Sequence, residues 1–548
     1  MEIVCESAFP FLSEAELLLM SALAVSEHFS AGEYLFKSGQ EKVDLFIVQQ
    51  GQVDIVNPRC NDEVLVSHRV GQFTGDIDLL TLRPALVSAV AACNSQVLRV
   101  KNDHVRDVLL KIPQLSEKLL TAFQLRRDML SRAKDIGLKV MGPAMCSDTN
   151  MIREFLHKNF VPFTWYDTGK ENGDDNQAYI CKDGEPSVTC ADGTVLSKPT
   201  LRQVAVGAGI WQHCPNQAID FAVIGAGPAG LAAAVYAASE GLSTLVIDSL
   251  GPGGQSGGSS KIENFMGFPS GISGTDLATR GSLQLLKFGA EIVAPVTVTD
   301  ITPGATEHDH VKLTLDCGAV VSAMAVLIAS GVVWRKLEAE NAQRFERAGI
   351  YYACTTVEAM LHDRSDVAVV GAGNSAGQAA TFLADCCPDR QVHLIIRGKL
   401  GPKMSEYLSA RIRANSRITV HEETEITEVI GVNFIESVLL KKKSDAGTSE
   451  SLLAVSAIFV FIGSQSSAEW IPSLVARDSD GFLLTGSDME KAGHWPLTSR
   501  EPCALETSMP RVLAAGDIRS GTTKRVGFAV GDGSHAVSCV HRLRSIVR

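Results

Sequence analysis

Two glycine clusters are the residues most able to do chemistry. An apolar run, Asp220-Phe221-Ala222-Val223-Ile224, leads straight into Gly225-Ala226-Gly227-Pro228-Ala229-Gly230, and LAAAVYAASEG follows with helical composition. A second apolar run, STLVID, ends at Asp248. Strand, glycines, helix and terminal acid in that order are the fingerprint of a dinucleotide site. Gly225 permits the tight turn, Gly227 lets the backbone approach a pyrophosphate, and Gly230 lets helix and strand pack closely. The pyrophosphate meets the free N–H groups of the helix that Pro228 opens, from Ala229 onward, and Asp248 is placed to accept from the ribose.

The pattern recurs further along. Val367-Ala368-Val369-Val370 leads into Gly371-Ala372-Gly373-Asn374-Ser375-Ala376, then the helical GQAATFLADC, then QVHLII, which ends at Arg397. No acid stands at that strand end. A ribose 2′-hydroxyl wants a carboxylate there, whereas a 2′-phosphate wants cations. Arg397, with Lys399 and Lys403 nearby, therefore selects NADPH over NADH. The 13 cysteines are scattered, with no C-x-x-C among them, and read as buried thiols; Cys386-Cys387 reads as helix packing. No Walker A sequence, no G-x-S-x-G elbow and no metal-ligand spacing of histidines occurs, so no metal site is expected.

These sites need elements to hold them. At roughly 100–200 residues per domain, 548 residues imply three or four domains. Up to about residue 135, short strands broken by glycines (EYLFKSG, DLFIVQQGQVDIV, QVLRV) predict a β-roll, followed by a helical stretch. The order Gly32-Glu33, Gly39-Gln40, Asp44-Leu45-Phe46-Ile47-Val48, Gly51 and Gly75-Asp76 resembles cyclic-nucleotide-binding domains. That resemblance implies an acid on the ribose and an Arg after a Pro on the cyclic phosphate. Here Asp76 replaces Glu, and Ala85 follows Pro84 where the Arg belongs. Without the guanidinium the bidentate phosphate contact is lost, and no binding of cAMP or cGMP is expected.

Residues 136–214 read as strand (GLKVMG), helix (CSDTNMIREFLHKN), strand (FTWYD), a polar loop, two strands and a helix. This order resembles a glutaredoxin-like domain of the thioredoxin fold. The family's C-x-x-C falls on Cys146-Ser147-Asp148-Thr149, and its cis-proline on Pro186. The resemblance places Cys146 at a helix start and, with Thr149 in the second position, allows only monothiol chemistry or a docking module without activity.

From residue 215 onward the sequence resembles the two-dinucleotide-binding flavoproteins, and within them the thioredoxin reductases. Gly253-Gly254-Gln255 matches the loop that family sets near the isoalloxazine, and Ile262-Glu263-Asn264-Phe265-Met266-Gly267-Phe268-Pro269 nearly matches its I-E-N-F-P-G-F-P signature, with Met266 in place of a proline. Ala329-Ser330-Gly331 matches the crossover, Ala515-Gly516-Asp517 the motif contacting the ribityl chain, and Lys524-Arg525-Val526 opens the last helix. The resemblance implies FAD on residues 215–335 and 473–548, NADPH on 336–472, a homodimer, and a thioredoxin-like protein or small disulfide as partner. One departure affects the chemistry. The family's redox C-x-x-C falls on Cys354-Thr355-Thr356-Val357, so the usual relay through an internal disulfide is broken.

The predicted architecture is therefore multidomain: an N-terminal β-roll with helices, a glutaredoxin-like α/β domain, and two nested Rossmann-like domains. The predicted activity is that of an FAD-dependent NAD(P)H oxidoreductase, with Cys354 and Cys146 as candidate catalytic thiols. Transfer to oxygen or a small acceptor, and a redox- or ligand-sensing role, stay open. The net charge of −12 with no basic tract excludes nucleic acid as an expected partner. No leader-like start and no long apolar run occur, so a cytoplasmic protein without a membrane span is expected.

Overall fold

The computed structural model describes residues 6–547 apart from 134, 170–183, 213, 215–216, 307 and 445–446. The early glycines turn short antiparallel strands into a roll. Val25–Phe29, Ser95–Val100 and Leu45–Gln50 form one sheet; Tyr34–Phe36, Ser88–Ala91, Val53–Asn57 and Glu63–His68 form the other. Gly51 sits at φ +85°, and a Cβ there would come within 2.8 Å of the Asn94 carbonyl oxygen, so only glycine makes that turn. Helices Asn102–Lys111 and Pro113–Arg132 follow, the second opened by a proline whose missing N–H costs nothing at that position.

The next sheet has the order Val195–Ser197, Ser187–Thr189, Leu138–Met141, Phe163–Tyr166. Its last pair is parallel and the others antiparallel. Helix Ser147–Lys158 joins the parallel pair, and Leu201–Gly207 closes the segment behind a capping box of Thr200 and Gln203. The expected cis-proline is corrected. The cis peptide among the described residues is Ala294–Pro295, and Pro186 is trans. Pro186 leads straight into its strand, and its carbonyl accepts from Lys198 N at 2.8 Å, extending the hairpin.

Two larger sheets complete the chain. One orders Glu291–Val293, Thr244–Ile247, Ile219–Ile224, Val320–Ile328, Val311–Leu315 and Val298–Thr302, with Val512–Ala514 also parallel to Val320–Ile328. The other is wholly parallel: Ile350–Tyr351, Ala457–Val460, Val367–Val370, Val392–Ile395, Ile418–His421. Val367–Val370 is apolar and buried at every position and Ile219–Ile224 at every position but Asp220, the pattern of strands covered on both faces. The chain leaves the first sheet, builds the second, and returns to the first at Val512. Val332–Trp334 and Ser464–Ser466 pair antiparallel where it crosses in each direction. One continuous core joins Leu119 and Phe123 of the N-terminal helices to Leu286, Phe221 and Val540 of the first large sheet and its helices.

Candidate active site

The first glycine loop is built for a close backbone approach. Gly227 is the N-cap of helix Pro228–Ser239 and brings no side chain, while Pro228 brings no N–H. The N–H groups of Ala229 and Gly230 are left without intrahelical partners, aimed at an anion. A Cβ on Gly230 would collide with the Gly225 carbonyl oxygen, and one on Gly254 would come within 2.9 Å of the Gly227 Cα. Asp248 Oδ2 accepts from Ala226 N at 2.7 Å, and Oδ1 accepts from Leu250 N at 2.9 Å and Gly251 N at 2.7 Å. The carboxylate thus clamps two loops together and keeps roughly one of its four lone-pair sites for a ribose hydroxyl.

The other residues expected at the first dinucleotide site lie around this loop. Gln255 Nε2 donates to the Val332 carbonyl. Ala329 is buried against Gly225, the Gly331 carbonyl accepts from Ser467 Oγ at 2.8 Å, and Ser330 Oγ is buried without a partner. Gly516, at φ +75°, lies over Ala229, so the turn Gly516–Ile518 rests on the helix start. Burial raises the Asp517 carboxyl above its usual range, against the pull of Lys524. Lys524 Nζ lies 4.0 Å from the Phe482 ring centre. Phe265, beside exposed Asn264, faces Gly527 in the first turn of helix Val526–Val547, next to Arg525. The glycine cradle, the free helix N–H groups and the orphaned Ser330 hydroxyl fit a bound dinucleotide.

The second glycine loop repeats the geometry. Gly371 stands at φ +145° and a Cβ would strike the Phe461 carbonyl; Gly373 caps helix Asn374–Cys386. Asn374 Oδ1 accepts from Ser405 N at 2.8 Å, so it braces the loop rather than reaching outward. Ser375 is exposed and Ala376 buried. Arg397, Lys399 and Lys403 are all exposed, and none enters an ion pair among the described residues, while Glu422 is turned onto Leu400 N at 2.8 Å. Free cations with the nearby acid engaged fit a 2′-phosphate.

Cys354 lies against the loop that follows Gly253-Gly254-Gln255. Its N–H donates to the Gly258 carbonyl at 3.2 Å and its strand position bridges Ser259. It is 2% exposed, and burial pushes the thiol well above its usual range, with Glu358 and Cys386 adding to the push. Glu358 caps the following helix through Thr355 N at 2.9 Å. Arg390, fully buried, donates to the carbonyls of Ala359 at 2.5 Å and His362 at 2.6 Å, fixing the helix's other end. The side chains of Thr356 and Val357 lie outside the described residues. Cys146 is the partly exposed N-cap of helix Ser147–Lys158. That helix reaches the Cys354 region through Asn150 Nδ2, which donates to the Arg347 carbonyl at 2.8 Å, and through Lys158 Nζ, 3.3 Å from the Gly254 carbonyl. No bond among the described residues joins Cys146 to Cys354. The thiols that do neighbour one another are Cys386–Cys387 at 3.6 Å, Cys503–Cys539 and Cys214–Cys317.

In the β-roll, Asp76 does not stand free for a ribose. Both Asp76 and Asp78 ion-pair with buried Arg127, at 2.7 and 2.5 Å. Sequence reasoning missed Arg127, Arg390, Glu358 and Lys158. A buried arginine and a surface one look alike in a sequence, and these partners lie far away along the chain.

Fold and site together define an oxidoreductase with two dinucleotide sites on two nested α/β sheets. Residues 219–533 match the pyridine nucleotide-disulphide oxidoreductase family, and the chain belongs to it. Residues 26–111 match the cyclic nucleotide-binding domain. The chain is 30% identical over 319 residues to a thioredoxin reductase of Mycoplasma pneumoniae, covering 58% of this chain and 93% of that one. To a Treponema pallidum thioredoxin reductase it is 31% identical over 317 residues, covering 58% and 94%. The crystal structure of Lactococcus lactis thioredoxin reductase in its FR conformation superposes with a TM-score of 0.52 at 25% identity, covering 60% of this chain and 99% of that one. This is a thioredoxin reductase-like flavoenzyme fused to a cyclic-nucleotide-binding-type domain, and its cofactors are FAD and NADPH. Among the described residues no helix is long and apolar enough to cross a membrane, and no cluster of His, Cys, Asp or Glu is placed to hold a metal.

Proposed function

We propose that this chain is an FAD-dependent NADPH oxidoreductase that delivers electrons to an acceptor outside itself without an internal disulfide relay. When bound, FAD and NADPH supply the hydride chemistry. Residues 215–335 and 473–548 hold the first and 336–472 the second, with Arg397 and Lys399 as the 2′-phosphate clamp. The observation carrying this reading is Cys354: it is buried against Gly258, it titrates well above its usual range, and Cys386, the thiol that acts on it electrostatically, is hydrogen-bonded instead to Cys387. A lone protonated thiol holds its place by packing and cannot shuttle an electron pair. The acceptor is a thioredoxin-like protein or a small disulfide. The cytoplasm is the compartment and a homodimer the assembly.

The strand and helix order of residues 136–214, with its parallel and antiparallel pairings, supports a glutaredoxin-like domain. Thr149, buried where a second thiol would stand, limits that domain to docking or monothiol exchange at Cys146.

Anaerobic titration with NADPH tests the reading through the flavin absorbance. Full bleaching at about one equivalent, unchanged in Cys354→Ser, is the expected result. A need for about two equivalents would expose a hidden cysteine couple and overturn it.

A further inference from the structure

The β-roll encloses a cavity of about 210 Å³ between its second sheet and helix Pro113–Arg132. Its wall is apolar where a cyclic nucleotide would need charge: Ala85, Leu86 and Val87 stand in the stretch after Pro84. Four charged or titratable side chains line it: Asp76 and Asp78, both held by Arg127, and Arg126 and His68, each with a buried nitrogen that has no partner. Arg126 is 6% exposed, is sandwiched by the rings of Phe73 and Phe9 at 4.4 and 5.2 Å, and donates to the carbonyls of Ala8 and Gly75, both at 2.8 Å. Its Nη2 is buried with no partner. His68 is 2% exposed and its Nδ1 is likewise without a partner.

The charges around the cavity do not balance. Arg83, Arg126 and Arg127 face Asp76 and Asp78, three cations against two anions. Arg127 takes both aspartates, and Arg83 turns away to the Asn159 carbonyl at 2.5 Å. Arg83 and Arg126 are thus both left without a carboxylate, and Arg126 is the one that lines the cavity. Burial draws it down only to about 9, so it stays charged at neutral pH. An uncompensated buried charge is costly, and an anion placed at Nη2 would relieve it. The exposed Leu65 and Met129 form the mouth of the cavity.

From the unpartnered guanidinium, the one-cation surplus and the apolar wall, we propose that this cavity binds a small amphiphilic monoanion. Its carboxylate sits on Arg126, and its hydrocarbon body, somewhat larger than benzene, fills the space between Phe36, Val66, Leu79 and Leu130. An apolar cavity of ~150 Å³ already suffices for benzene, so the size is adequate. The ligand is not a cyclic nucleotide, whose ribose and second polar edge would meet no free partner.

Calorimetric titration of the full flavin-loaded protein with octanoate, octan-1-ol and cAMP decides it. Octanoate should bind saturably and at least about tenfold more tightly than the alcohol, the worth of one charge-assisted hydrogen bond. Arg126→Gln should erase that preference while leaving octanol binding, and Val66→Phe should abolish both. The wild-type preference alone remains decisive if a variant fails to fold. Equal binding of acid and alcohol, no saturable binding of octanoate at millimolar concentration, or displacement of octanoate by cAMP overturns the proposal.

Discussion

At the residue scale, the two glycine loops are read by what stands at the end of the following strand. Asp248 closes the first cradle from inside, while Arg397 and Lys399 stand in solvent with no ion pair among the described residues. Replacing both cations with Glu should raise the KM for NADPH by about tenfold or more and leave that for NADH nearly unchanged, since only the first cofactor carries the 2′-phosphate. Steady-state kinetics with the two cofactors measures this. His362 gives a second expectation. It is 4% exposed, bonded to Tyr351 Oη at 3.2 Å and Ser456 Oγ at 3.0 Å, and burial beside Arg390 lowers it from 6.5 to about 4. Above pH 6.5 neither folded nor unfolded chain protonates it. As the pH falls toward 4 the unfolded chain takes a proton that the folded one refuses, so roughly 3 kcal/mol of stability is lost across that window. His362→Asn should flatten the fall of Tm between pH 6.5 and 5, and an unchanged slope would show that other groups carry it.

At the element scale, glycine governs how closely helices meet at the flavin-side loop. Helix Val526–Val547 crosses Pro228–Ser239 where a Cβ on Gly533 would collide with the Ala229 carbonyl. Gly533→Ala must push apart the two helices that hold Ala229 and Asp517 in place. The expected cost is about 1–3 kcal/mol, the usual range for overpacking. It should appear as a lower Tm and as FAD lost on gel filtration. A variant that keeps both would mean the crossing has slack. The Cys354 helix, Thr356–Leu361, shows the opposite device: it is short, and it is held by Glu358 at one end and Arg390 at the other.

At the scale of the whole molecule, the first two domains are braced against the flavin side. The ion cluster of the β-roll reaches residue 159 through Arg83, and Arg127 Nη1 donates to the Phe160 carbonyl at 3.3 Å. Asn159 Nδ2 donates onward to Leu250 at 2.8 Å, beside the Gly253-Gly254-Gln255 loop. Asn159→Ala leaves that half-buried carbonyl without its donor, a loss of about 1 kcal/mol. Flavin fluorescence during heating should then show release at a lower temperature than in the wild type. Release at the same temperature would mean that the N-terminal half does not brace the loop.

The sequence by itself determined the parts whose causes are local. A glycine is needed where backbones touch and favoured where φ is positive, so Gly225, Gly230 and Gly371 were legible from spacing alone. The apolar runs that became central strands were equally plain, as was the missing second thiol after Cys354. Three-dimensional packing decided the rest. It bound Asp76 to Arg127, left Arg126 over, pressed Cys354 against Gly258, and set Lys158 beside Gly254. Each of those contacts joins residues far apart in the chain. Whether a charge is paired, spare or buried depends on which distant neighbour the fold brings to it, and spacing along a sequence carries no record of that distance.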